Sequence, residues 1–409
     1  MKDNTRNLSD TPTENQSETK ISRRSVVMGM LPLIAAAGLS GRTTAQAQSA
    51  PVPSGDSTFP GLITREKEPM NLEFPFPTLD NVITPNNRFY VRNHFSVPKL
   101  DATAWRLSID GAVNKQISLS YDELRRLPSV KVTATLECAG NSRANLVPKA
   151  KGVLWEQGGI SNAEWTGVPL SVLLDRAGIK SGAMEAIFEG ADSGEVKEEP
   201  KSPGVISFAR SLPLAKARRG EVIVAYQMNG KNLPPEHGYP ARLVVPGWYG
   251  MASVKWLKKI TLTTTPFDGY WQTLEYAYWK KVADLPTLVP VTETEVKAEI
   301  ARPNLSEAVK AGSTYRVHGA AWTGESEVAK VEFSADEGKT WNAARLLGEA
   351  VPFAWRLWEF NWTVPPAAGK YKLMARATDK KGNIQPASHD PNRRTYMINF
   401  TAPVEVTVE

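Results

Sequence analysis

The sequence predicts an α+β domain followed by an immunoglobulin-like β-sandwich. Short helix and strand signals are mixed from about Asn81 to Leu285, and period-two alternation takes over after Pro286-Thr287-Leu288-Val289-Pro290. The 30 prolines and 12 tryptophans suit loop-rich β architecture. At 409 residues, the chain has enough material for more than one core.

Residues 1–47 read as a targeting segment. A polar stretch ends in Ser22-Arg23-Arg24-Ser25, an apolar run spans Val26 to Leu39, and Ala45-Gln46-Ala47 forms a small-residue cleavage site. The run is too short to span a bilayer, and the adjacent arginines resemble the twin-arginine signal that exports folded proteins to the periplasm. From Gln48 to Asp80, prolines at 51, 53, 60, 69, 75 and 77 predict an extended arm along the surface.

Residues 81–285 form the expected α+β domain. Leu119–Leu127 and Leu170–Ala177 read as short helices ended by Pro128 and Gly178. Val132–Leu136 reads as a strand running into Cys138, and Ala139-Gly140-Asn141 supplies turn chemistry after it. Arg242–Val245 is apolar enough for a buried strand.

Residues 286–409 form the expected sandwich. In Ala329–Ser334, alternation places Ala329, Val331 and Phe333 on one face, and Tyr371, Leu373 and Ala375 repeat the pattern. Asp336-Glu337-Gly338-Lys339 and Asp379-Lys380-Lys381-Gly382-Asn383 are turns between strands.

Composition excludes several function classes. Hydrophobic residues at 41% and charged residues at 22% describe a globular protein, and a net charge of +6 without a Lys/Arg block argues against nucleic-acid binding. There is no G-x-G-x-x-G, Walker loop or C-x-x-C, and the four histidines are too dispersed for a zinc signature.

What remains is one cysteine and two basic sets. Cys138 is the only cysteine, and an exported thiol left unpaired is expected to be occupied by something. Arg143 beside it favours the thiolate that metals bind. Arg92 and His94, two apart, would share one face of a strand and address one anion. His237, Arg242 and Lys255 offer a second basic set suited to a phosphate.

FYVRNH (Phe89–His94), LECAGNSR (Leu136–Arg143), KGVLWEQGGISNAEWTGVPLSVLL (Lys151–Leu174), LPPEHGYPARLVVPGWYGMASVKWLKKI (Leu233–Ile260) and GYWQTLEY (Gly269–Tyr276) together resemble the molybdenum domain of the sulfite oxidase family. The similarity extends through GKTWNAA and RATDKKGNIQP, where the family has an immunoglobulin-like dimerisation domain.

The resemblance implies molybdenum-molybdopterin as cofactor, with Cys138 as its metal ligand and no intrinsic haem. It places Arg92, Arg143, Trp155 and Tyr276 in the oxyanion pocket, joined by Arg394 or its neighbour Arg393 from the C-terminal domain. Tyr90, Asn93, His94, Asp192, His237, Arg242, Ser253 and Lys255 fall on positions that hold the pterin. Ser142 departs from the pattern, because animal members carry a basic residue there. The implied reaction is oxidation of sulfite to sulfate in a homodimer, with electrons passed to an external c-type cytochrome. Reduction of nitrate or methionine sulfoxide on the same fold, and a non-catalytic exported binding module, are the alternatives.

Overall fold

The computed structural model describes residues 59–305 and 307–409; the predicted targeting segment lies outside them. The segment 59–80 does not run along the surface as an arm. Ile63–Glu66 and Asn71–Glu73 form a hairpin, Phe76–Thr78 makes a 3-10 turn, and Leu62, Leu72, Phe74, Phe76 and Leu79 are buried. The prolines break regular pairing, but the apolar residues between them carry enough area to hold the segment in the core.

Two sheets build the part that follows, the first antiparallel and the second mixed. One places Val130–Glu137 beside Ile160–Pro169, then Ile223–Met228, all antiparallel, with Arg242–Val244 also paired to Ile223–Met228. The other runs Ile117–Ser120, Arg106–Gly111, Leu257–Thr263, Glu185–Glu195 and Val205–Pro213, with one parallel pairing, Arg106–Gly111 against Leu257–Thr263.

Local chemistry sets the helices. Tyr121–Arg125 begins at a capping box in which the Ser120 hydroxyl accepts from the Glu123 amide and the Glu123 carboxylate accepts from the Ser120 amide. Leu119 belongs to the preceding strand, so this helix is shorter than predicted. Leu170–Ala177 matches its predicted span. It buries Leu170, Leu173, Leu174 and Ala177 at helical spacing and stops at Gly178, whose φ of 67° a side chain would strain.

The C-terminal part is the predicted sandwich. Lys297–Arg302, Thr314–Trp322, Arg356–Thr363 and Arg345–Leu346 make one sheet; Ala308–Val309, Val404–Val408, Gly369–Asp379, Val328–Ser334 and Asn342–Ala343 make the other. Val317, Val331, Phe333, Trp358 and Leu373 fill the space between them. The alternation predicted for Ala329–Ser334 fails at both ends. A bulge between Val328 and Lys330 leaves Ala329 exposed and turns Val328 inward, and Ser334 is buried, where its hydroxyl accepts from the Asp336 and Gly338 amides.

One apolar cluster crosses between these parts. Phe76, Cys138, Trp155 and Leu136 share it with Ala320, Trp322 and Trp355 from the sandwich, so the cysteine loop is seated against the C-terminal part.

Candidate functional site

Strand Val130–Glu137 grows steadily more buried towards its C-terminal end and delivers Cys138 there, 6% exposed. The Cys138 amide donates to the Gly159 carbonyl at 2.8 Å, and the Asn141 amide turns back to the Cys138 carbonyl at 2.8 Å. The Asn141 side chain locks the turn, donating to Glu137 Oε1 at 3.1 Å and accepting from the Gly159 amide at 2.9 Å. The thiol therefore has a fixed position, and two cavities meet there, both lined by Cys138, Arg92 and Tyr276.

The first cavity holds about 630 Å³ of empty space, its open mouth included. Tyr90, Arg92, Asn93 and His94 line one wall. The strand predicted for them is absent: only a single bridge, Leu72 to Val91, forms, and consecutive residues 92 to 94 all reach the cavity, which a period-two strand forbids.

Away from the thiol, the cavity is lined by His237, Arg242, Ser253 and Lys255. His237 ends a 3-10 turn, Pro235–His237, that Gly238 terminates at φ 103°. Arg242 donates to the His237 carbonyl at 3.0 Å and the Ser253 carbonyl at 2.8 Å, tying the two loops together. Lys255 donates to the Asn93 side chain and, at 2.8 Å, to the Glu236 carbonyl. Asp192 also lines this cavity, with a buried Oδ1 that no described residue contacts by hydrogen bond.

The second cavity is wider, about 900 Å³ including its open mouth, and adds Arg143, Lys151, Arg394 and Tyr396 to the shared residues. Arg143 folds back over the cysteine turn, donating to the Val153 carbonyl at 2.9 Å and the Thr395 carbonyl at 3.2 Å. A Cβ at Gly140 would sit 2.2 Å from its guanidinium, so a side chain there would displace Arg143 from this position. Arg394, at a strained φ of 58°, reaches the cavity and donates to the Leu274 and Ala277 carbonyls, while Arg393 turns away to Glu295 at 3.2 Å.

Trp155 departs from expectation. It lines neither cavity and is 0% exposed, packed edge-on against Tyr90 with ring centroids 6.1 Å apart. The close turn from Val153 to Gly159 places it behind the wall, and its indole Nε1 has no hydrogen-bond partner among the described residues. Lys151 and Tyr396 were missed by sequence reasoning. Lys151 adjoins the Gly152 that packs on Arg143, and the Tyr396 ring lies 5.4 Å beneath the Arg143 guanidinium, two residues past Arg394.

The electrostatics share one cause. Among the described residues no carboxylate lies within ion-pair distance of Arg92, Arg143, Arg242, Lys255 or Arg394, whereas buried Lys216 and Lys297 each sit 3.1 Å or less from a glutamate. Burial, aided by neighbouring cations, holds His94 well below the usual histidine range and lowers His237 to about 3. Burial likewise lowers Arg242 to about 10 and pushes Asp192 up to about 6. Tyr276 is raised to about 12 by burial, against the pull of Arg92, and keeps its proton. These cations, Arg143 and Arg242 buried and Arg92, Lys255 and Arg394 half-buried, stand unpaired beside neutral histidines, although Glu198, Glu199 and Glu275 line the second cavity.

A long group with a phosphate at one end and a thiol-binding metal at the other fits this chain of donors. Arg242, Lys255 and Ser253 suit the phosphate, and the unpartnered Asp192 carboxylate suits an N–H-rich ring system. Comparisons with known proteins agree. Residues 94–271 match the oxidoreductase molybdopterin binding domain family, and residues 289–409 match the Mo-co oxidoreductase dimerisation domain family. Sulfite oxidase of Gallus gallus is 37% identical over 352 residues, covering 81% of this chain and 74% of its own length. The mitochondrial sulfite oxidase of Homo sapiens is 36% identical, covering 85% of this chain and 66% of its own. Nitrate reductase [NADH] 1 of Arabidopsis thaliana is 32% identical, over 78% of this chain and 38% of its own. The crystal structure of the sulfane dehydrogenase SoxCD from Paracoccus pantotrophus superposes with a TM-score of 0.71 at 29% identity, covering 83% and 84% of the two chains.

Proposed function

Because the chain belongs to the sulfite oxidase family of molybdenum oxidoreductases, we propose that it oxidises sulfite to sulfate at a molybdenum-molybdopterin centre and passes the electrons to a separate c-type cytochrome. The observation that carries this reading is the convergence of Arg92, Arg143 and Arg394, none with a carboxylate partner, on the cavity that exposes Cys138. Glu198, Glu199 and Glu275 also line that cavity but form no ion pair with these arginines, so the guanidinium groups remain available to a small multiply charged oxyanion.

Cys138 would ligate the metal, and Tyr90, Asn93, His94, Asp192, His237, Arg242, Ser253 and Lys255 would hold the pterin and its phosphate. When bound, this group supplies two-electron oxygen transfer. The protein's share is positioning. The arginines bind the anion through charge-assisted hydrogen bonds, each contributing about 1.5–3 kcal/mol where water is excluded. Tyr276, protonated at neutral pH and 2.6 Å from His94 Nε2, stands where it can donate a hydrogen bond at the thiol end of the cavity.

The match of residues 289–409 to a dimerisation domain supports a homodimer. The Arg23-Arg24 motif supports export to the periplasm, where a cytochrome acceptor would be within reach. The similarity to nitrate reductase supports the opposite direction of electron flow as a second reading. One experiment separates them. Protein exported from a pterin-competent host should contain molybdenum and reduce ferricytochrome c on adding sulfite; nitrate-dependent oxidation of a reduced viologen, with no response to sulfite, would reverse the assignment.

A further inference from the structure

Beneath the cysteine turn lies a buried ionic cluster that the reaction itself does not use. Lys297, on the sandwich strand Lys297–Arg302, is 1% exposed and points out of its own domain. Its Nζ donates to Ser142 Oγ at 2.7 Å and lies 3.1 Å from Glu299 and 3.6 Å from Glu137. Ser142 donates in turn to Glu299 at 3.1 Å, and Gln157 donates to the other Glu299 oxygen at 2.9 Å. Trp322 donates to Glu137 at 2.8 Å. Glu137 and Ser142 bracket the turn that carries Cys138, and Ser142 sits at φ 66°, a conformation that needs outside support.

Charge makes this more than a structural ion pair. Ser142 brings no charge to the loop, and among the described residues Lys297, from the other domain, is the one cation in ion-pair reach of the Glu137 and Glu299 carboxylates. Without it, the Glu137 and Glu299 carboxylates would stand buried and unneutralised behind an anion site, one of them adjacent in sequence to Cys138.

We propose that Lys297 is a positioning residue for the oxyanion site: it holds the Cys138–Arg143 turn in register and offsets part of the carboxylate field that would otherwise oppose the entering anion. The inference rests on the proposed oxidation of an oxyanion and adds that the C-terminal domain tunes the affinity of that site.

Lys297→Gln, Lys297→Gln/Glu299→Gln and Ser142→Arg/Lys297→Gln proteins, each loaded with cofactor, test it. Sulfate affinity is read by calorimetry, sulfite KM and kcat by turnover, and folding by melting temperature. Lys297→Gln should weaken sulfate binding and raise the sulfite KM about tenfold, the order expected for one uncompensated buried charge acting on an anion nearby, with kcat changed about twofold or less. Ser142→Arg/Lys297→Gln, which moves the cation onto the loop, should recover most of that loss. If Lys297→Gln fails to fold, the comparison passes to Lys297→Gln/Glu299→Gln, which takes both the lysine and the carboxylate from the Ser142 hydroxyl and should bind sulfate more weakly through the loosened turn. Unchanged sulfate affinity in whichever of these two proteins folds, or loss of affinity that Ser142→Arg leaves unrepaired, overturns the proposal. A wild type that binds sulfate in a Lys297-dependent way yet leaves sulfite unoxidised would reject the reaction and keep the role of Lys297. A wild type that oxidises sulfite, paired with a Lys297→Gln protein of normal KM, would do the reverse.

Discussion

His94 Nε2 lies 2.6 Å from the Tyr276 hydroxyl, and both groups face the thiol of Cys138 across the same cavity. Stacking on Phe208, with ring centroids 4.4 Å apart, and an edge contact from Trp271 fix the imidazole. Trp271–Glu275 forms a single π-helical turn that ends at Tyr276, and buried Arg210 holds that turn by donating to the Trp271 and Val291 carbonyls. Tyr276 is thus fixed both through its ring and through its backbone. Tyr276→Phe should lower kcat/KM about 10- to 100-fold by removing a preorganised donor, with molybdenum content unchanged. Because Tyr276 titrates near 12, the wild-type pH-rate profile should show no alkaline limb from it below about pH 10. A Tyr276→Phe enzyme of wild-type efficiency would remove the tyrosine from the chemistry.

Cys138→Ser separates ligation from cofactor retention. The phosphate-end donors Arg242, Ser253 and Lys255 lie away from the thiol end, so the pterin should remain largely bound while sulfite oxidation is lost. Molybdenum and pterin analysis, with X-ray absorption at the molybdenum edge, should show one sulfur fewer around the metal. An active Cys138→Ser protein would exclude ligation by this residue.

Arg92→Met and Arg143→Met test the anion cup and should differ. Arg92 lines both cavities, whereas Arg143 lines only the second and is braced over Gly140. Both should raise the sulfite KM, roughly 10- to 100-fold for loss of a charge-assisted pair. Only Arg92→Met should also disturb the pterin spectrum. Normal sulfite affinity in either protein would remove that arginine from the cup.

Much of the fold was legible because its signals are local. The Leu170–Ala177 helix carries its apolar spacing and its terminating glycine in ten consecutive residues or so, and the strand before Cys138 ends at turn residues. The errors arose where tertiary packing overrides local pattern. Phe74, Phe76 and Leu79 sit among prolines, which reads as an arm, yet they fill the apolar cluster that seats the cysteine loop against the sandwich. Arg92, Asn93 and His94 read as a strand, yet tertiary partners fix this stretch: Asn71 and Lys255 hold Asn93, and Tyr276 meets His94. The Ser142–Lys297 contact joins positions 155 residues apart and leaves no trace in local sequence. Trp155 was placed by resemblance, and only the packing against Tyr90 shows it behind the wall.

Acid stability of the cofactor-free protein reports the buried histidines. His237 is lowered to about 3 from an unfolded value near 6.5, and His94 is also held well below that value. In the unfolded chain both take up protons as pH falls through 6.5, while the folded protein refuses them, so their contribution is fully present above pH 6.5 and is lost towards pH 3. Asp192 opposes this trend. Its folded value of about 6 exceeds the unfolded 3.8, so its contribution is present below pH 3.8 and lost as pH rises to 6. Two groups outweigh one, and unfolding free energy should fall by a few kcal/mol between pH 6.5 and 4. His237→Gln should flatten that slope by about one proton, and Asp192→Asn should steepen it. Bound cofactor should reduce the dependence on His237, because a phosphate beside the imidazole favours its charged form. Denaturant titrations at several pH values check all three, and a His237→Gln slope equal to wild type would show that the imidazole is free to protonate in the folded state.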